Sequence, residues 1–101
     1  MFIYNVTIKV DWSIHEAWLR WMKEVEIPAM LDSAYFYGHQ MVRLLEVDDE
    51  DGPTYAIQYY AHTRDDYQNY LDIISSSVSE TARKKWGDRY LLFGTLMEVV
   101  K

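Results

Sequence analysis

The sequence predicts an α+β sandwich, one antiparallel sheet of four strands with two helices on one side, in the order β-α-β-β-α-β. Three observations predict it. Alternation with period two opens and closes the chain, two long segments carry apolar residues at three- and four-residue steps, and the middle reads as a hairpin folded at an acidic turn.

Residues 2–10, FIYNVTIKV, put Phe2, Tyr4, Val6, Ile8 and Val10 on one side and Ile3, Asn5, Thr7 and Lys9 on the other, which is the period of a strand. Ser13 and Glu16 fit a capping box, with Trp12 and Ala17 placed as a hydrophobic staple. Ile14, Trp18, Trp21, Met22 and Val25 follow on a helical stripe. Pro28 has no amide to donate and disfavours helical geometry at Ile27, so the first helix is expected to end or kink there. A short helical turn and a connection over residues 29–38 come next, with Gly38 as hinge. Residues 39–47 and 54–62 read as paired strands. Between them the carboxylates of residues 48–51 stay in solvent, and Asp51-Gly52-Pro53 supplies turn chemistry. Thr63, with Asp66 three residues on, starts the second helix, whose stripe runs through Tyr67, Tyr70, Leu71, Ile74, Val78, Ala82 and Trp86. Its acidic start and its end at Arg83, Lys84 and Lys85 match the helix dipole, Gly87 stops it, and the serines at 75–77 predict a bend in its middle. Residues 90–100 form the last strand.

Short connections and right-handed crossovers reduce this order to the ferredoxin-like sandwich, with strand order 4-1-3-2 and one domain over residues 1–101. The composition agrees: 101 residues, 50% hydrophobic and 26% charged, suit one compact core. A net charge of -6 opposes phosphate backbones and anionic lipid, so no nucleic acid and no membrane surface is expected as partner. No apolar run reaches the ~20 residues of a membrane span. The absence of cysteine removes thiolate chemistry and disulfides. The opening residues run straight into a strand with no leader pattern, and the expected location is the cytoplasm.

The outer strands carry a second signal. In the last strand Leu91, Phe93, Met97 and Val99 fall on one side and Tyr90, Leu92, Leu96 and Val100 on the other, and the second strand sets Met41, Leu45 and Val47 against Val42 and Leu44. A sheet covered by helices on one side only would show a polar outer face. Strands apolar on both sides predict a second cover, and a homodimer through the sheet face is the simplest one.

This arrangement resembles the dimeric α+β barrel superfamily. The pattern Trp18-x-x-Trp21-Met22-x-x-x-Glu26-Ile27-Pro28, followed by Arg43-Leu44-Leu45 and Thr54-Tyr55-Ala56-Ile57-Gln58-Tyr59, further resembles a family of short bacterial proteins with a domain of unknown function, along nearly the whole chain. The resemblance implies a His before the Ile-Pro pair in relatives, where this chain has Glu26. It also implies a range of activities in the wider superfamily, from cofactor-free monooxygenases and haem-degrading enzymes to ligand-sensing domains, among which fold alone does not choose.

Candidate chemistry is sparse. His15, His39 and His62 show no i, i+4 pair, and the acidic turn lacks calcium-loop spacing, so neither a metal nor a cofactor is expected. Polar residues inside apolar strands are the better candidates: Asn5, Thr7, Arg43, Gln58, Tyr60 and Thr95. Asn5 and Gln58 come from neighbouring central strands and, with Arg43, would line a cavity for an anionic or amide-bearing small molecule. Structural pairing of Arg43 with Glu26, Glu46 or Glu98 is the simpler alternative. The aromatic residues Trp18, Trp21, Tyr67, Tyr70 and Trp86 sit at core spacing, so packing explains them first. Two readings of function lead, and a third, in which dimerisation or an edge-strand contact is the whole role, stays open beside them. One is a non-catalytic module that binds a small molecule or a partner, with Asn5, Glu26, His39, Arg43, Gln58 and Tyr60 as the binding set. The other is a cofactor-independent, monooxygenase-like enzyme acting on a small aromatic substrate, with Asn5, Glu26 and Gln58 as anchors and His39 or Tyr37 as acid or base.

Overall fold

The computed structural model describes residues 1–101. Strands β1 (Phe2–Val10), β2 (Gly38–Arg43), β3 (Thr54–Ala61) and β4 (Tyr90–Glu98) form one sheet in the order β2-β3-β1-β4. Every pairing is antiparallel. This is the ferredoxin-like order the alternation predicts. Helices α1 (His15–Trp21), α2 (Ile27–Asp32), α3 (Arg64–Ile73) and α4 (Ser75–Trp86) supply the second layer.

Register decides which residues meet the helices. Val6 pairs with Ile57, Tyr4 with Tyr59 and Ile8 with Tyr55, all on the side where Val6, Ile8, Ile57, Tyr55 and Tyr59 are buried. Trp18, Met22, Ile27, Met30 and Tyr70 close on them from the helices in one cluster. Val10 and Ile57 are wholly buried, at 0% exposure, and Trp18 at 1% is the largest side chain sealed in the core. Burial of such a side chain contributes roughly 1.5–3 kcal/mol.

Four local expectations are corrected. The capping box does not form: Ile14 occupies the cap position without a side-chain bond. Ser13 is drawn elsewhere, its amide bonding Asp11 Oδ1 at 2.8 Å and its hydroxyl accepting from Arg89 at 3.0 Å. Of the two expectations for Pro28, an end or a kink, the end does not occur, because helical winding continues through it into α2. Instead residues Met22–Glu26 form a wide π turn, in which the amide of Ile27 reaches back five residues to the carbonyl of Met22. The widened turn makes room for the proline ring, and Pro28 then stands in the first turn of α2, where its missing N–H is tolerated. The second strand stops at Arg43 rather than 47, because Glu46 adopts a φ of 58° and turns the chain out of the sheet. The last strand ends at Glu98.

Other expectations hold. Thr63 caps α3, its hydroxyl accepting from the Asp66 amide at 3.1 Å. The serine-rich middle does bend: Ile74 separates α3 from α4 at φ −114°, and the Ser75 hydroxyl donates to the Leu71 carbonyl at 2.6 Å. Gly87 ends α4 at φ 65° and ψ −132°, its amide bonded to the Arg83 carbonyl at 2.8 Å. Gly52 is required by close approach, since a Cβ there would stand 1.7 Å from the Val10 carbonyl oxygen.

Candidate functional site

Between the helices and the sheet lies a cavity of 330 Å³. It runs along the helix-facing side of β1 from Tyr4 to Ile8, with α1, the π turn and α4 above. Its walls are aromatic and aliphatic, with Trp18, Trp21, Met22, Met30 and Trp86 prominent. Trp21 and Trp86 meet edge to face, with ring centres 5.8 Å apart. Indole Nε1 of Trp86 is shielded from solvent and has no hydrogen-bond partner in the chain.

One carboxylate enters this space. Glu26 closes the π turn and lines the cavity. The chain's ion pairs are Arg43–Asp49 and Lys84–Glu80, so no cation offsets the Glu26 charge. Desolvation raises its pKa from 4.5 to about 7. Burial is the main cause that raises the pKa of the Tyr59 and Tyr70 hydroxyls; the ionised Glu26 carboxylate adds to both, at Tyr70 behind the neighbouring Tyr4. Tyr4 joins the same group, its ring centre 5.5 Å from that of Tyr70 and 6.4 Å from that of Tyr59, and burial raises its pKa as well. The tyrosine hydroxyls that bond side chains elsewhere are those of Tyr55, Tyr37 and Tyr60. Those of Tyr4, Tyr59 and Tyr70, like the Glu26 carboxyl, make no side-chain hydrogen bond. The result is a largely apolar chamber in which the Tyr59 and Tyr70 hydroxyls lie within electrostatic reach of one carboxyl poised around neutrality, a setting able to bind a hydroxyl or N–H or to exchange a proton.

Of the six predicted binding residues, Glu26 alone faces this cavity. Asn5, Gln58 and Tyr60 point to the opposite side of the sheet. There Asn5 pairs with Gln58 and Thr95, and Gln58 with Gln40, giving a polar row across all four strands. Asn5 donates to Thr7 at 3.1 Å and Tyr60 to Gln40 at 3.1 Å. Asn5 and Gln58 therefore do share a face, as predicted, but Arg43 does not join them. Its register partner is the helix-facing Tyr55, and its guanidinium reaches Asp49 at 3.9 Å and lies over Trp12. Asp49, rather than the three glutamates considered, is its partner. His39, the candidate acid or base, lines a separate groove beside Lys23, Pro28 and Asp32, away from Glu26. Tyr37 is 48% exposed and stacks on His62 with ring centres 3.9 Å apart, away from the cavity. His15 bonds Tyr55 at 2.7 Å, and no cluster of His, Asp and Glu suits a metal.

Sequence reasoning missed the hydroxyls of Tyr4, Tyr59 and Tyr70, and it missed Ser79 and Arg83 of α4, which line the cavity too. A signal for the tyrosines was present. Tyrosine on a buried stripe brings a hydroxyl that needs a partner, and Tyr59 and Tyr70 bring two within reach of one carboxylate.

Fold and cavity together define a ferredoxin-like α+β protein with a chamber between its two layers. The chain belongs to the family described as a domain of unknown function, DUF4286, whose pattern matches residues 1–100. No curated protein matches it. Among solved structures, a protein of Deinococcus radiodurans assigned to the antibiotic biosynthesis monooxygenases superposes with a TM-score of 0.71 at 16% identity, over 100% of this chain and 94% of that one. A dimeric ferredoxin-like protein from an uncultured marine organism reaches 0.76 at 10% identity, over 99% and 95%. An ethyl tert-butyl ether (EthD) family protein of Bacillus halodurans reaches 0.73 at 13% identity, over 99% and 100%. At such identities the likeness is one of fold. No helix is long and apolar enough to cross a membrane.

Proposed function

We propose that this protein is a homodimer in which each subunit binds a small planar aromatic molecule in the chamber between helices and sheet. The observation that carries the binding reading is Glu26, a carboxyl without an ion-pair partner near the Tyr59 and Tyr70 hydroxyls, which make no side-chain hydrogen bond, in a space with mostly apolar walls. A cavity of about 150 Å³ takes benzene. At 330 Å³ this one suits a ligand of about two fused rings. Glu26 orients it through one hydrogen bond. Support for the dimer comes from the outer face, where Leu91 is 72% and Phe93 62% exposed beside the polar row, and from a fold relative described as dimeric. In this reading Asn5, Gln58 and Tyr60 serve the contact between subunits rather than the ligand.

A second reading, cofactor-independent catalysis, is favoured by the Glu26 pKa of about 7. Such a carboxyl can take a proton from an acidic phenol or return it at neutral pH. Titration with 2-naphthol, followed by tryptophan fluorescence, tests the shared premise. Saturable binding at one site per chain, abolished by Val78→Trp at the cavity wall, is expected. Absence of binding, or equal binding by that variant, would overturn it.

A further inference from the structure

The chamber has a second polar end. Ser79 and Arg83 lie one helical turn apart on α4 and both line the cavity. Neither is committed elsewhere. Ser75, Ser77 and Thr81 return their hydroxyls to backbone carbonyls of the α3–α4 segment, whereas Ser79 makes no such bond. Arg83 belongs to neither ion pair of the chain.

Glu26 reaches the chamber from the π turn, Arg83 from the last turn of α4. Arg83 does not figure among the causes of the Glu26 shift, which is desolvation alone. An acceptor that is carboxylate at one end and a guanidinium with a hydroxyl at the other, joined by aromatic walls, describe a ligand with opposite requirements at its two ends.

We infer that the chamber selects two-ring hydroxyaryl carboxylates, the ligand's carboxylate held by Arg83 and Ser79 and its distant hydroxyl by Glu26. This rests on the binding reading above and adds the class of ligand. Guanidinium and hydroxyl donors match a carboxylate, whereas a neutral ring leaves the guanidinium without an anion.

The test compares 6-hydroxy-2-naphthoate with 2-naphthol by calorimetry on the full chain at pH 7. The naphthoate is expected to bind about tenfold more tightly than the naphthol, the ratio that one charged hydrogen-bonded contact supplies. Arg83→Met, which keeps an unbranched side chain without the charge, is expected to bring the two affinities together, erasing the tenfold advantage of the naphthoate. Equal affinity of the two probes, or an advantage that survives Arg83→Met, overturns the assignment of the anionic end while the chamber itself stands. Failure of both probes to bind removes the binding reading and this inference together.

Discussion

Tyr4 of β1 lies across Gly94 of β4. A Cβ at Gly94 would stand 2.7 Å from Tyr4 Cε1 and 2.9 Å from its hydroxyl oxygen, so the ring occupies ground that only a glycine leaves free. Gly94→Ala must therefore push Tyr4 toward the chamber. The expected result is a loss of about 1–3 kcal/mol in urea unfolding together with weaker 2-naphthol binding. Unchanged affinity would show that the ring finds another resting place.

Glu26 holds its proton more tightly folded than unfolded. Stability from the protonated form is fully present below 4.5 and is lost as pH rises through about 7, because in that window the folded chain binds more protons than the unfolded one. Glu26→Gln removes this loss. Relative to the parent, the variant should gain at most about 3 kcal/mol between pH 4.5 and pH 8, read from urea melts at both values. A difference that stays flat with pH would contradict a desolvated carboxyl.

Phe93 faces away from the helices, 62% exposed within one subunit. Phe93→Asp should leave the subunit fold within about 0.5 kcal/mol of the parent, as surface changes do, yet prevent sheet-to-sheet association. Light scattering across a dilution series reads the mass directly. A parent already monomeric at micromolar concentration would defeat the homodimer.

Gly87 stops α4 at φ 65° and ψ −132°, and a Cβ there meets nothing within 4 Å. The cost of Gly87→Ala is purely conformational, about 1–3 kcal/mol by thermal or urea unfolding. No crowding term enters, so a larger bulk such as Leu should cost little more than Ala.

Architecture was legible because burial is written in period. Tyr4, Val6, Ile8 and Val10 on one parity of β1, and the stripe from Tyr67 to Trp86, place every layer without tertiary information. Local bonding was less legible. Ser13 and Glu16 have capping-box spacing, but Arg89, distant in sequence, takes the serine hydroxyl. Glu46 leaves the strand through a backbone twist that no alternation encodes. At the candidate site, Glu26 stood out through the family resemblance, which implies a His in relatives where this chain has an acid. Its companions did not, since Tyr59 and Arg83 reach one chamber only through strand pairing and helix packing. Arg43 misled for the same reason: mid-strand position tells that a cation must find company, and register alone tells on which side.

The π turn has a consequence for descent. Such a turn amounts to one surplus residue in an α-helix, the kind of insertion that survives when it aims a side chain usefully. Deleting a single residue between Met22 and Glu26 would restore regular winding and swing everything downstream through roughly 100°, Ile27 and Met30 leaving the core along with the acid. The irregularity thus ties the position of one carboxyl to the packing of a whole helix, so neither could drift during divergence without the other.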